Sequence, residues 1–93
     1  MDKSITRHPG YILRHNWLKP LKINQRFLAQ CLHCEEKRIN LICVGQRTIT
    51  ADTAIRLGRF FGNDPTYWLG LQAKYDISFE KVNTEEITPW EVR

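Results

Sequence analysis

The 93-residue sequence is short of several things at once, and each shortage removes a class of explanation. No apolar run approaches the roughly 18 residues that a membrane-spanning helix needs, so no membrane partner is expected. The start, Met1-Asp2-Lys3-Ser4, lacks the basic stretch and apolar core of a secretory signal, which makes the cytoplasm the expected compartment. Cysteine is scarce and odd in number: Cys31, Cys34 and Cys43 fit reduced thiols better than a disulfide framework. Together with His33 they could offer four metal ligands. Cys31 and Cys43, however, fall on the apolar stripes of two different helices, where a free cysteine acts as a small hydrophobe, so neither metal nor any other cofactor is expected. His8, His15 and His33 have no partners at nucleophile-and-base spacing, and no glycine-rich phosphate loop is present. A chain of this size has little room for a deep pocket, and an enzyme is not expected.

What the sequence does have is a divided charge. Residues 1–63 carry eleven Lys and Arg against four acids, a balance of +7, whereas residues 64–93 carry three against six, a balance of −3. A basic body beside an acidic end points to a polyanion on one surface and to a different partner, or solvent alone, on the other.

Proline and glycine fall at intervals that suit short helices, and no stretch alternates with the period of two that strands require, so the fold is expected to be all-α. His8-Pro9-Gly10 precedes a first helix carrying Tyr11, Leu13 and Trp17, which Lys19-Pro20 should end. Asn24 can cap a second, short helix with the stripe Phe27, Leu28, Cys31 and Leu32. After a break at His33-Cys34, Glu35 through Cys43 reads as a third helix with Ile39, Ile42 and Cys43 beneath it and Gly45 as its stop. Thr50 can cap a fourth helix whose buried face is read as Ala51, Ala54, Ile55, Gly58 and Phe61. Gly62-Asn63-Asp64-Pro65 combines a glycine stop, an Asp cap and a first-turn proline, opening a fifth helix that reaches about Tyr75. Its apolar residues wrap more than one side, and Tyr67, Trp68, Leu71 and Tyr75 are expected to supply a dimer interface. Beyond Asp76 the period is lost, which divides the chain into a domain at 1–76 and an acidic tail at 77–93.

Two short helices joined by a tight turn cross steeply, and the second then projects far enough to enter a DNA major groove. With Ile39, Ile42 and Cys43 turned inward, Glu36, Lys37, Asn40 and Leu41 face outward. Lys can donate to guanine, Asn can pair bidentately with adenine, Glu can accept from cytosine, and an apolar side chain can touch the thymine methyl. Gln25 at the start of the second helix, with Arg38, Gln46 and Arg47, is placed to hold phosphates. The tandem acids Glu35 and Glu36 oppose non-specific binding and can reject wrong bases.

The residues Asn24-Gln25-x-x-Leu28-Ala29, Arg38-Ile39-Asn40-x-Ile42, Gly45-x-Arg47-x-Ile49-Thr50-Ala51-Asp52-Thr53-Ala54-x-Arg56-Leu57-x-Arg59-Phe60-Phe61-Gly62 and Trp68-Leu69-x-Leu71-Gln72-x-x-Tyr75-Asp76 resemble a HigA-type antitoxin of the phage-repressor-like helix-turn-helix superfamily. His8-Pro9-Gly10-x-Ile12-Leu13 is similar to that family's opening motif, so the resemblance spans residues 8–76. It implies a five-helix, lambda-repressor-like domain that dimerises, binds double-stranded operator DNA to repress its own operon, and holds inactive a HigB-type toxin, a messenger-RNA endonuclease. The alternative is a stand-alone regulator without a toxin. His33 stands where the family's inter-helix turn usually has glycine, Val44 replaces a polar residue before Gly45, and Glu35-Glu36 open a helix that in relatives often begins with proline, serine or arginine.

Overall fold

A computed structural model describes residues 6–92; residues 1–5, on which the reading about export rests, and Arg93 at the end of the tail lie outside the described residues. Among the described residues there is no strand, and no helix is long and apolar enough to cross a membrane.

The first helix, α1, comprises Pro9–Ile12, a π-helical stretch Leu13–Leu18 and a closing turn Lys19–Leu21. Pro9 sits in the first turn, where a missing N–H is no loss, and the N–H of Gly10 donates to His8 Nδ1 at 2.9 Å. The expected stop at Lys19-Pro20 is not where the helix ends. Pro20 has no N–H to offer the Asn16 carbonyl, and its ring crowds that oxygen. The widened stretch makes room, with Lys19 N–H pairing back to Arg14 O, and Lys22 ends the helix in a left-handed conformation at φ 58°.

Four further helices follow: α2 at Gln25–Leu32, α3 at Glu36–Cys43, α4 at Ala51–Phe61 and α5 at Pro65–Phe79. Asn24 caps α2 through a bond from Phe27 N–H at 2.7 Å, and Asp64 caps α5 through one from Thr66 N–H at 2.8 Å. Thr50 holds the cap position of α4 in extended backbone, but its hydroxyl makes no capping bond, contrary to expectation. α5 runs to Phe79, past the expected end near Tyr75, because no proline or stop signal interrupts it.

Every helix contributes to one core: Leu13 and Leu18 from α1, Leu28, Ala29 and Leu32 from α2, Ile39, Ile42 and Cys43 from α3, Ala54 and Leu57 from α4, and Trp68 from α5. Two stripes are turned relative to the sequence reading. On α2, Phe27 is exposed and Ala29 takes its place inside. On α4 the buried face is Thr53, Ala54, Leu57 and Gly58, while Ala51 and Ile55 face outward. Thr53 is the reason: its hydroxyl accepts from Arg38 at 3.3 Å, so a polar side chain can sit where the hydrophobic pattern predicts none.

Two contacts lock the ends of the bundle. Gly10 lies so close to the end of α3 that a Cβ there would stand 1.7 Å from the Ile42 carbonyl oxygen, so only glycine permits α1 to seat against α3. Gln72, buried on α5, accepts from Ile49 N–H at 2.8 Å and donates to Asp76 at 2.9 Å, tying the segment that leads into α4 to the last helix. Residues 80–91 are exposed throughout and form only two short 3-10 turns, Thr84–Glu86 and Trp90–Val92.

Candidate nucleic-acid interface

α2 and α3 form the expected helix-turn-helix, and its turn is built on a residue that resists it. His33 is left-handed at φ 55°, a conformation that costs a residue bearing a Cβ about 1–2 kcal/mol and that glycine would adopt freely. Hydrogen bonds surround the strained residue. His33 N–H donates to Gln30 O at 3.2 Å and Cys34 N–H to Ala29 O at 3.1 Å, closing the end of α2. From α4, the Arg56 guanidinium donates to Leu32 O at 2.8 Å and His33 O at 3.1 Å, satisfying carbonyls that the helix leaves open.

The far end of α3 is finished in a similar way. Arg14 of α1 donates to Cys43 O at 3.2 Å, and Ile39, Ile42 and Cys43 anchor the underside. Burial raises the Cys43 thiol to a pKa of about 11, against a smaller opposing pull from Arg14, so it stays protonated as a packing group. With that face fixed, Glu36 and Lys37 are exposed, and Asn40 and Leu41 are half-exposed on the outer side.

Gln25 and Asn40 meet across the two helices, the Asn40 amide donating to Gln25 Oε1. The bond orients both side chains. That bond uses one amide proton of Asn40 and the carbonyl oxygen of Gln25, and the other polar atoms of both side chains lie on the outer side of the pair. Gln46 and Arg47 are exposed in the loop after α3, where Gly45 is left-handed at φ 81° and the Arg47 backbone bonds to His8. His8 is lowered in pKa mainly by burial, opposed by the charge of Asp76 and that backbone bond.

Arg38 stands apart from the other proposed phosphate contacts. Its guanidinium turns toward α4, donating to Asp52 at 2.7 Å and to Thr53 at 3.3 Å. Asp52 also accepts from Arg56 Nε at 2.7 Å, and these two hydrogen bonds, that from Arg56 foremost, hold its carboxyl below the usual carboxylate range.

An open groove of about 630 Å³ lies beside the recognition helix, and its lining includes three cations that sequence reasoning passed over: Arg14, Lys19 and Arg26, next to Gln25, Glu36 and Asn40. Arg14 and Lys19, five positions apart and so on different sides of a regular α-helix, line the same groove where Leu13–Leu18 is π-helical, which their spacing does not announce. His15 in the same groove is lowered in pKa by desolvation first and then by Arg14, Lys19 and Arg7, which favours its neutral form.

The proposed dimer residues on α5 divide. Trp68 is fully buried within the chain, packed at a tilt against Trp17 and Phe61 with its indole N–H donating to Asn63 at 2.8 Å, so it offers no surface to a partner. A helix apolar on several sides does not reveal which aromatic is core. Tyr67 is 38% exposed and accepts from the Trp17 indole at 3.3 Å; Leu71 and Tyr75 are half-buried, Tyr75 edge-on to His8. The outward face of α5 carries Tyr67, Gly70, Lys74 and Ile77.

No protein-family model matches the chain. Individual proteins do. Virulence-associated protein I of Dichelobacter nodosus is 46% identical over 80 residues, covering 86% of this chain and 74% of that one. The antitoxin HigA of Pseudomonas aeruginosa, solved with the higBA promoter, is 39% identical at a TM-score of 0.78 over 80% of each chain. An addiction module antidote protein of the HigA family from Coxiella burnetii is 39% identical at a TM-score of 0.81, covering 91% of this chain and 98% of its own. Sequence identity at this level, the matching fold and the helix-turn-helix geometry agree: the chain belongs to the HigA family of antitoxins.

Proposed function

We propose that the protein is the antitoxin of a HigBA-type module: a homodimer that binds operator DNA, represses its own operon, and holds a HigB-type messenger-RNA endonuclease inactive. The observation that carries this reading is the outer face of α3, where Lys37 is exposed and Asn40 is oriented by Gln25. A family member of similar fold, from Pseudomonas aeruginosa, was solved on promoter DNA. Lys37, Asn40, Glu36 and Leu41 read base edges; Gln25, Gln46 and Arg47 hold phosphates on either side, and Arg14 and Lys19 of α1 with Arg26 of α2 extend that grip. The protein does no chemistry of its own and works in the cytoplasm. The helices through the end of α5 at Phe79 form the DNA-binding unit and the acidic stretch after them is a tail, while Tyr67, Leu71 and Tyr75 are where a second copy approaches α5.

A footprint on DNA upstream of the protein's own gene tests the reading. Two half-sites related by a two-fold axis should appear about one duplex turn apart, roughly 34–36 Å between centres. Co-expression with the adjacent reading frame should yield a stable complex with a small basic protein whose ribonuclease activity is suppressed. A footprint without an inverted repeat would contradict the repressor role. A neighbouring gene encoding no such protein would favour a stand-alone regulator.

A further inference from the structure

We infer that Asp52, acting through Arg38 and Arg56, is a positioning residue for operator recognition: it sets the angle at which α3 meets DNA without touching the DNA. The inference rests on the operator-binding reading above and adds to it a device outside the recognition helix.

The geometry forms one continuous chain of bonds. A single carboxylate oxygen of Asp52, at the start of α4, accepts from Arg38 at 2.7 Å and from Arg56 at 2.7 Å. Arg38 lies in the first turn of α3, the end that carries Glu36 and Lys37. Arg56 continues to the carbonyls of Leu32 and His33, the residues that end α2 and make the turn. Asp52 therefore ties the recognition helix and the strained turn to the same point on α4. Rotation of α3 about its own axis would break the Arg38 bond, and a change in the crossing angle of α2 and α3 would break those of Arg56.

Charge alone gives the opposite expectation. A carboxylate near a phosphate path repels DNA, so its removal should tighten binding to every sequence. Likewise, Arg38 as a phosphate contact would contribute to the salt dependence, which scales with the number of phosphates neutralised. As a positioning residue it contributes to neither. Its guanidinium is already directed to Asp52 and Thr53, and its side chain is only 25% exposed.

The test compares wild type, Asp52→Asn, Arg56→Lys and Arg38→Gln on a footprinted operator duplex and on an unrelated duplex, across a series of salt concentrations. Measurements are made at a temperature where circular dichroism shows each variant folded. Asp52→Asn should weaken operator binding about tenfold, a change of roughly 1.4 kcal/mol, while leaving unrelated DNA unchanged or bound more tightly. Arg56→Lys keeps the charge but cannot reproduce the forked geometry, and should show the same loss of preference. Arg38→Gln should lower the preference with the salt slope intact, and the Asp52→Asn/Arg38→Gln double variant should be no worse than the poorer single one. A purely stabilising role would lower the melting temperature and leave the operator preference of the folded protein unchanged. The inference is overturned if Asp52→Asn keeps the wild-type preference, or if Arg38→Gln reduces the salt slope by about one contact. A wild-type protein that does not distinguish the two duplexes would overturn the operator-binding reading and this inference with it.

Discussion

The helix-turn-helix and the tail sit at opposite extremes of how a short segment is held. α2 and α3 are eight residues each, too short to be stable alone, and the carbonyls at their ends are taken by side chains from elsewhere: Arg56 for α2 and Arg14 for α3. Residues 80–91 have comparable length and several large apolar side chains, among them Val82, Ile87 and Trp90, yet all are exposed. Nine of the sixteen residues in α2 and α3 are apolar, against three of twelve in 80–91. The apolar residues of α2 and α3 also recur on one face and the backbone ends find distant donors, whereas the tail's few apolar residues share no face. Order in this small domain thus depends on closing polar ends as much as on burying apolar stripes.

Four changes probe that contrast, in falling order of effect. Gly10→Ala forces a methyl group into the Ile42 carbonyl and should separate α1 from α3, costing about 3 kcal/mol in urea unfolding. A loss within experimental error would mean that the α1 contact does not hold α3. Gln72→Ala leaves the Ile49 amide without its partner, and calorimetry should find about 2 kcal/mol less stability. Asp64 gives a smaller, pH-dependent effect. The hydroxyl and then the amide of Thr66 hold its carboxyl below the usual range. A carboxylate favoured in this way stabilises the fold above its ordinary pKa, and that contribution is lost as pH falls through the lower folded value. Asp64→Asn can still cap α5 but cannot titrate, so its melting temperature should fall less steeply than wild type toward about pH 3. Trp90→Ser, in the tail, should change stability by less than about 0.5 kcal/mol. A larger loss would show that the tail is anchored on the domain and would erase the contrast.

Much of this architecture was legible in the sequence because its signals are local. Asn24, Asp64-Pro65 and the spacing of Ile39, Ile42 and Cys43 each act within a turn or two of themselves, and the helices begin and face as those residues indicate. What was not legible depends on partners far away in the chain. Thr53 is left off the buried face of α4 until Arg38, fifteen positions earlier, supplies its hydrogen bond. Arg38 reads as a free cation until Asp52 is found beside it, and Trp68 reads as a surface aromatic until Trp17 and Phe61 enclose it. Pro20 misled for a different reason. A proline usually ends a helix, but a widened turn can carry the chain past it.

Base reading by the outer face of α3 is tested most directly by binding to single-base variants of the footprinted operator. Lys37→Ala and Asn40→Ala should each lose about 1–3 kcal/mol of discrimination at one operator position and bind the duplex altered at that position almost as well as the original. Equal weakening on every variant and on unrelated DNA would place both side chains on the phosphates and contradict the account.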